Sequence, residues 1–483
     1  MKKSLVAVGV IVALGAAWTG ASWYTGKQIE GRLNNIIKAV NTQLAKSFPE
    51  SAIELQTKDF QRGVFSSDVR LILKIKDGVK NTDIKPNEEI IFKSSIGHGP
   101  LPISDLKKLH LVPKMASIHS ELEQSEATKA LFEATKGKSL LTMEAKIGYS
   151  SSLSTDIDFI PVDYTAKNGN KLVFSGAKID AEIARDLSNF KFNVKSDRLI
   201  FSSPSKHEEL TLKGIGFKGD NKKGKFDLYL GDQNYNIDEI TLSSTSDDSF
   251  SLKGMKITSK VAETDKNLNL NVSYGIDGLK LKNMDLGSGQ LAIGMNNLDG
   301  QSVRKFSQAY NDATAKALTS EALSTDSVSN KVIENAHLLF NNSPQFSLEP
   351  MKWKNSKGES SVNFKLALKN IPENKDSLIL MGPEEMIRTL LQELSLDVKI
   401  PKPMLIESIT QAKILDGKTK EAAEAEATQE VQMIASQGVS FKILTDENNV
   451  IGLKLHYAND KVELNNKKSD LHQFLLDNHL IGS

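Results

Sequence analysis

Ser66 or Ser67 could act as a nucleophile, and His98 could be the base that takes its proton. Acyl transfer by such a pair needs the hydroxyl within hydrogen-bond reach of the imidazole and a carboxylate to orient the ring. No carboxylate or nucleophile partner stands near His98 in the chain, and His98 sits in the turn-like stretch His98-Gly99-Pro100-Leu101-Pro102. A histidine donating to a turn carbonyl is the plainer reading. The other histidines, His110, His119, His207, His337, His456, His472 and His479, show none of the H-x-H, H-x-x-x-H or H-E-x-x-H spacings that gather a metal. Gly214-Ile215-Gly216-Phe217-Lys218-Gly219 fits G-x-G-x-x-G, but a dinucleotide site needs that loop to open a helix, and here Asp220 to Gly224 lead into another strand. Ser203-Pro204-Ser205-Lys206 imitates S-x-x-K without a downstream K-T-G and reads as a turn. The chain holds 0 Cys, which excludes disulfides, thiolate zinc sites and cysteine nucleophiles together. Lys+Arg at 61 against Asp+Glu at 60 leaves no basic footprint for nucleic acid. The expectation is a protein with no cofactor, no metal, no catalytic residue set and no nucleic-acid partner.

The elements that would position these residues begin with a membrane segment. Met1, Lys2 and Lys3 precede an uncharged run from Ser4 to Tyr24, about the ~20 residues that a spanning helix needs. Trp18, Trp23 and Tyr24 gather at its distal end, where amphipathic rings favour the boundary with water. The run exceeds the apolar core of a cleaved signal peptide, so it reads as a retained single-span signal anchor. Ile29, Leu33, Ile36, Ile37, Val40 and Leu44 then recur at helical spacing and predict an amphipathic stalk over 25–45. The short N-terminal flank is easily left in the cytoplasm, which places the body outside it.

Beyond the stalk the fold class is α+β, mainly antiparallel β. Ser66 to Ile75 alternates as a half-buried strand. A helix is predicted around Glu121 to Thr135. From Ser139 to about Gly300 short alternating runs follow one another, predicting a long curved antiparallel sheet. Phe174 to Ile179, Leu212 to Phe217 and Leu252 to Ile257 share an apolar-x-Gly-apolar core, with glycines 38 and 40 positions apart, as stacked repeats would. Strands are also predicted at Lys225 to Leu230 and Val439 to Leu444. Helices concentrate in the C-terminal part, and the acidic run Glu421 to Glu430 reads as a solvated helix face. The expected organisation is an anchor over 1–24, a stalk over 25–45, a β-rich region over 46–299 and an α+β region over 300–483.

Several blocks resemble the YdgA family of γ-proteobacterial envelope proteins. They are the opening MKKSLVAVGVIVALGAAWTGASWYTGKQIE, Phe60-Gln61-Arg62-Gly63-Val64-Phe65-Ser66-Ser67, His98-Gly99-Pro100 with Leu106 to Leu109, and Pro113 with Met115 to Ile118. Asp285 to Gly289 and Trp353 to Ser360 complete the set. The resemblance implies an inner-membrane anchor, a periplasmic body and an unassigned role, and it carries over no catalytic residues. Arg62, Gly63, Phe65, Ser66, Ser67, His98, Gly99, Pro100 and Trp353 are its motif positions. Gly63 is suited to a positive φ before a strand, with Arg62 offering a planar fork of donors. The expected function is a non-enzymatic, membrane-anchored envelope protein that offers a β surface or groove to lipid or to an envelope protein. The alternatives are an envelope hydrolase built on the Ser/His pair and a structural scaffold, a homo-oligomer that dimerises through its stalk or helices.

Overall fold

The structure is a computed structural model and describes residues 2–47, 53–75, 88–150, 152–186, 188–244, 249–319, 325–370 and 381–481. Side chains at 2–15, 36, 39, 43–47, 53, 75, 315–319 and 325–328 lie outside the described residues. The chain divides into two compact units. The first comprises Met1–Phe201, Gly216–Lys223 and Tyr310–Asn330, and the second Ser202–Ile215, Gly224–Ala309 and Lys331–Ser483.

The first unit opens with one helix, α1 (Lys2–Ser47). Among the described residues no helix is long and apolar enough to cross a membrane. The predicted span Ser4 to Tyr24 falls largely on positions 2–15, whose side chains are outside that description. Strands β1 (Ile53–Arg62), β2 (Ser66–Ile75), β3 (Glu89–His98) and β4 (Ala116–Glu123) follow as an antiparallel meander. α2 (Ile103–Lys107) lies between β3 and β4, and α3 (Lys129–Ala134) follows β4. The ladder continues through β5 (Leu141–Ile147) and β6 (Leu153–Phe159), past the hairpin β7 (Val162–Thr165) and β8 (Lys171–Phe174), to β9 (Ala177–Ile183) and β10 (Asn189–Ser203). Period-2 alternation puts Val69, Ile96 and Ala116 on one buried face. Ile29 and Leu33 of α1 pack against these three, so the segment predicted as a stalk lies along the sheet. Asn41 completes the docking: its amide donates to the Leu55 carbonyl at 2.8 Å and its Oδ1 accepts from Leu55 N at 2.7 Å, closing part of the β1 edge.

The helix predicted over Glu121 to Thr135 is mostly absent. Leu122 pairs with Phe92 and keeps β4 in register to Glu123, leaving only the six residues of α3. Cross-strand pairing outweighs local helical spacing here.

The second unit takes in the first part of β11 (Glu208–Lys223), then the long strands β12 (Tyr229–Ser244), β13 (Phe250–Glu263), β14 (Asn267–Leu281) and β15 (Met284–Asp299). α4 (Gly300–Thr319) and α5 (Thr325–Asn335) come next in the chain, and the hairpin β16 (Gln345–Asn355) and β17 (Gly358–Leu368) resumes the ladder. α6 (Pro383–Leu390), β18 (Leu391–Pro401), α7 (Lys402–Leu415), α8 (Lys420–Ser440), β19 (Thr445–Glu447), β20 (Val450–Ala458), β21 (Lys461–Leu464), β22 (Lys467–Asp470) and α9 (Leu471–Asp477) complete the unit. From β12 to β18 every consecutive strand pair is antiparallel, and β18 then pairs with β20. The predicted strand Lys225 to Leu230 starts only at Tyr229, because Gly224 N bonds the Leu228 carbonyl and turns the chain. The strand predicted at Val439 to Leu444 is also corrected. Thr419 caps α8 by accepting from Ala422 N, and Ala423, Ala427, Val431 and Ala435 bury one stripe at i, i+4, which carries the helix to Ser440.

Two of the three predicted repeat glycines are structurally equivalent. Gly214 and Gly254 both take φ +61, and a Cβ at either would overlap the carboxylate of an aspartate, Asp238 and Asp277 respectively. Gly176 takes φ +89 and faces the Phe159 carbonyl instead, so it stands outside that repeat.

Candidate functional site

The blocks around Arg62 and His98 meet in the first unit. β2 starts at Ser66 and β3 ends at His98, and the antiparallel register sets Ser66 opposite Gly97 and Ser67 opposite Ile96. Ser67 Oγ therefore lies 2.8 Å from His98 Nε2. His98 Nδ1 lies 3.1 Å from the Val64 carbonyl in the β1–β2 turn. A carbonyl accepts only, so Nδ1 carries the proton and Nε2 accepts from the serine hydroxyl. Both side chains are 1% exposed. Burial holds the imidazole below its ordinary value; the hydrogen bond to Val64 opposes this, and the charge of Arg62 reinforces it. Ser66 is exposed and does not join them; its carbonyl accepts from Gly63 N at 2.8 Å.

The cover over this pair comes from α1. A Cβ at Gly26 would overlap the His98 ring, so the helix can lie on the imidazole only with glycine there. Two turns earlier, Trp18 stacks on Phe65 with ring centroids 4.8 Å apart and donates Nε1–H to the Leu101 carbonyl at 3.0 Å. Between them Ser22 is wholly buried, with no hydrogen-bond partner for its hydroxyl. On the flank, Arg62 Nε pairs with Glu30 at 3.0 Å and its guanidinium lies 5.7 Å from the Trp23 ring centroid. Gly63 is not in the left-handed region, contrary to expectation, because its turn closes through its N–H to the Ser66 carbonyl. Gly99 and Pro100 continue β3 into the next loop, where a Cβ at Gly99 would overlap the Lys114 carbonyl.

Nothing local to Trp18, Ser22, Gly26 and Glu30 marks them as site residues. Their signal is the four-residue spacing of one helical face, masked where Trp18 and Ser22 fall within the run that reads as apolar membrane sequence.

Trp353 belongs to the second unit. Its ring lies over Gly289 of the facing strand, and its Nε1–H donates to the Leu286 carbonyl at 2.9 Å. The motif blocks at Asp285 to Gly289 and Trp353 to Ser360 are thus neighbours on β15, β16 and β17. Asn355, within the second block, donates to the Met404 carbonyl at 3.0 Å and ties the hairpin to α7.

The chemistry available at Ser67 and His98 is a hydrogen-bonded hydroxyl and imidazole oriented by a carbonyl, closed off from solvent. The orienting carboxylate that a triad requires is replaced by Val64, which cannot stabilise an imidazolium as an anion would. Among the described residues no group of three or more His, Asp or Glu is placed to hold a metal ion.

Comparison with known proteins places the chain among bacterial proteins without an assigned activity. It is 35% identical to Protein YdgA of Escherichia coli (strain K12) over 98% of this chain and 96% of that protein. It is 26% identical to the uncharacterized protein YihF of the same strain over 97% of each chain. An uncharacterized protein of Haemophilus influenzae matches at 26% identity over 63% of this chain and 85% of its own length. No solved structure matches. The model of the family described as "Bacterial protein of unknown function (DUF945)" matches residues 1–472, and the chain belongs to that family.

Proposed function

We propose that this chain is a non-enzymatic, membrane-anchored envelope protein whose second unit holds acyl chains along one face of its sheet. The observation that carries the reading is a set of apolar rows crossing the strands in register. Tyr235, Ile257, Tyr274, Leu291 and Met351 form one row from β12 to β16, and Val272, Ile293, Leu348, Phe364 and Leu396 form the next from β14 to β18. None of the ten is fully buried, and Tyr274 and Met351 remain 42% and 47% exposed. The other face is polar, as the row Lys260, Asn271, Gly294, Ser347 and Lys365 illustrates.

Among the described residues helices cover this face at its C-terminal end, and Phe340 of the 3-10 helix Ala336–Phe340 lies against Phe346 beside the second row, with ring centroids 5.7 Å apart. Tyr457 belongs to a buried cluster with Val462, Leu471 and Leu475 against which Ile387 of α6 and Phe474 of α9 pack, and Ile451 clusters with Val431 and Ala435 of α8, with Ile409 of α7 packed against them. A one-sided sheet with a half-open apolar face invites a cover. Acyl chains suit rows that run across many strands without a polar interruption. The anchor is supported by the uncharged run Ser4 to Tyr24 behind two lysines, and it delivers the body to the envelope side of the membrane.

The test is organic extraction of the detergent-purified full chain after exchange into a lipid-free detergent. Retained phospholipid in stoichiometric ratio to folded protein is expected. A folded preparation free of lipid overturns the reading. The Ser67–His98 pair supports a structural role, since both groups are sealed beneath α1.

A further inference from the structure

One end of the first unit is edged with exposed apolar tips. β2 starts, β3 ends, β4 starts, β5 ends and β6 starts at this end, as the pairings Ser66 with Gly97, His98 with Ala116, Ala116 with Ile147 and Ile147 with Leu153 require. Its connections carry Val64 at 43% exposure, Leu109 at 82%, Leu111 at 65%, Val112 at 74% and Tyr149 at 55%. Isolated exposed leucines are ordinary, but tips from three separate turns at one sheet end are a patch. Lys107 and Lys108 stand exposed beside Leu109. The crest rests on a fixed base, because Lys114 Nζ pairs with the buried Asp105 carboxylate at 3.2 Å and Lys114 N bonds the Pro100 carbonyl at 2.9 Å.

The same end is fixed to α1 at a defined height. Trp18 meets Leu101 and Phe65 there, and Trp18 stands six residues before Tyr24, the last of the uncharged run. At the helical rise, the run from Ser4 to Tyr24 measures about 31 Å and Trp18 lies about 9 Å inside its end. A run of that length matches the ~30 Å of hydrocarbon with nothing to spare. The turns attached at Trp18 are therefore drawn about 9 Å inward of the end of the run, within the ~5–10 Å at which interfacial apolar groups settle.

We propose that the Val64 turn, the Leu109 to Val112 crest and the Tyr149 turn form a membrane-seating surface, embedded in the boundary between headgroups and acyl chains of the bilayer that holds α1. Lys107 and Lys108 suit the phosphates of an anionic leaflet. The inference rests on the reading of α1 as a membrane anchor and adds that the body is seated on that membrane and not held clear of it.

The chain holds 0 Cys, so single cysteines can be placed without background. The full chain with Leu14→Cys, Leu111→Cys, Val112→Cys or Lys138→Cys, each carrying an environment-sensitive nitrobenzoxadiazole dye, is reconstituted into phosphatidylethanolamine–phosphatidylglycerol vesicles. Lys138 lies beyond the opposite end of β4 and β5 and serves as the aqueous reference. The expected result is blue-shifted emission at 111 and 112, lost to lipids with a headgroup-proximal nitroxide. Position 14 is expected to respond to a deep nitroxide, and position 138 to neither. Quenching at 14 without quenching at 111 and 112 overturns the seating surface and leaves the anchor standing. Absence of quenching at 14 overturns the anchor, and the inference with it. Blue-shifted emission at 111 and 112 that no lipid nitroxide reaches assigns the crest to a protein contact, such as a second copy, and also overturns it.

Discussion

Ser67 Oγ and His98 Nε2 lie 2.8 Å apart on neighbouring strands, in a space that solvent does not reach. The bond joins the start of β2 to the end of β3 directly beneath α1. Ser67→Ala removes the partner of a buried ring nitrogen and is expected to destabilise the protein by about 1–3 kcal/mol, the cost of leaving one buried polar group unmatched. Denaturant unfolding of the full chain in detergent measures it. The sealed geometry also predicts that Ser67 in the folded protein stays unlabelled by a fluorophosphonate. Labelling at Ser67, abolished by His98→Gln, would revive the hydrolase alternative.

The same histidine gives stability a pH dependence of known sign. Burial first, then the charge of Arg62, depress its folded value below the ordinary ~6.5, against the opposing hydrogen bond that its Nδ1–H donates to the Val64 carbonyl. The unfolded chain then binds the proton more readily, so the contribution is whole above about pH 6.5 and falls as pH drops toward the folded value. Glu30, paired with Arg62, moderates the local field. His119 opposes the trend: its hydrogen bonds to Glu121 and Glu144 outweigh burial and raise its value, so its contribution is present at low pH and lost as pH rises. The clean measurement is therefore the difference between the wild type and His98→Gln over pH 7.5 to about 5, in which the His98 slope alone disappears. Parallel curves would refute the assignment.

Three small substitutions on α1 are expected to differ in sign. Alanine for glycine inside a helix ordinarily stabilises by roughly 0.5–1 kcal/mol. Gly31 has open space around its Cβ position and should follow that rule. Gly26 should reverse it, losing about 1–3 kcal/mol, because the added methyl enters the His98 ring and the core must shift. Ser22→Ala removes a buried hydroxyl without a partner and should gain about 1 kcal/mol. Thermal unfolding of the three variants settles the order, and a stabilising Gly26→Ala would mean that α1 does not rest on His98.

Much of this arrangement was legible in the sequence because it follows from period and pattern. Alternation in Ser66 to Ile75 gave β2, and helical spacing of Ile29 and Leu33 gave the face of α1 that meets the core. What the pattern could not give is which surfaces meet. Nothing local states that Gly26 must lie on His98, since the requirement comes from a ring seventy-two residues away. The helix expected over Glu121 to Thr135 and the strand expected over Val439 to Leu444 fail for a related reason: the register of Leu122 on Phe92 and the buried Ala423 to Ala435 stripe are tertiary facts that override the local spacing. The meeting of Ser67 and His98 was legible as a pairing of types, whereas its closure under α1 was not.

Asp105 and Lys114 form an ion pair with both side chains nearly buried, at 4% and 10% exposure. Removing one member of such a pair strands the other charge, at a cost of about 3–5 kcal/mol. Asp105→Asn should therefore be severe, while Lys108→Gln, at an exposed partner of Glu144, should stay within about 0.5 kcal/mol. Hydrogen exchange of the amides from Leu106 to Lys114 adds a local readout: it should speed up in Asp105→Asn, whose loop has lost its base. Equal stability of the two variants would remove the pair as the support of the crest.

The last prediction separates the two faces of the second unit's sheet with neighbouring residues. Ile257 lies in the apolar row between Tyr235 and Tyr274, and Thr258 points to the polar face opposite Ser273. Ile257→Lys gives up a half-buried side chain, a loss of about 1–2 kcal/mol, and the lysine can direct its ammonium to the open side of the face. The protein should fold, and the phospholipid that it retains through purification should fall sharply, because a charge now stands in a row that acyl chains would follow. Thr258→Lys adds the same charge to an exposed site and should leave both stability and lipid content unchanged. If the two variants retain equal lipid, the apolar rows are not where lipid lies. A fall in both would instead assign the lipid to the polar face or to the membrane segment.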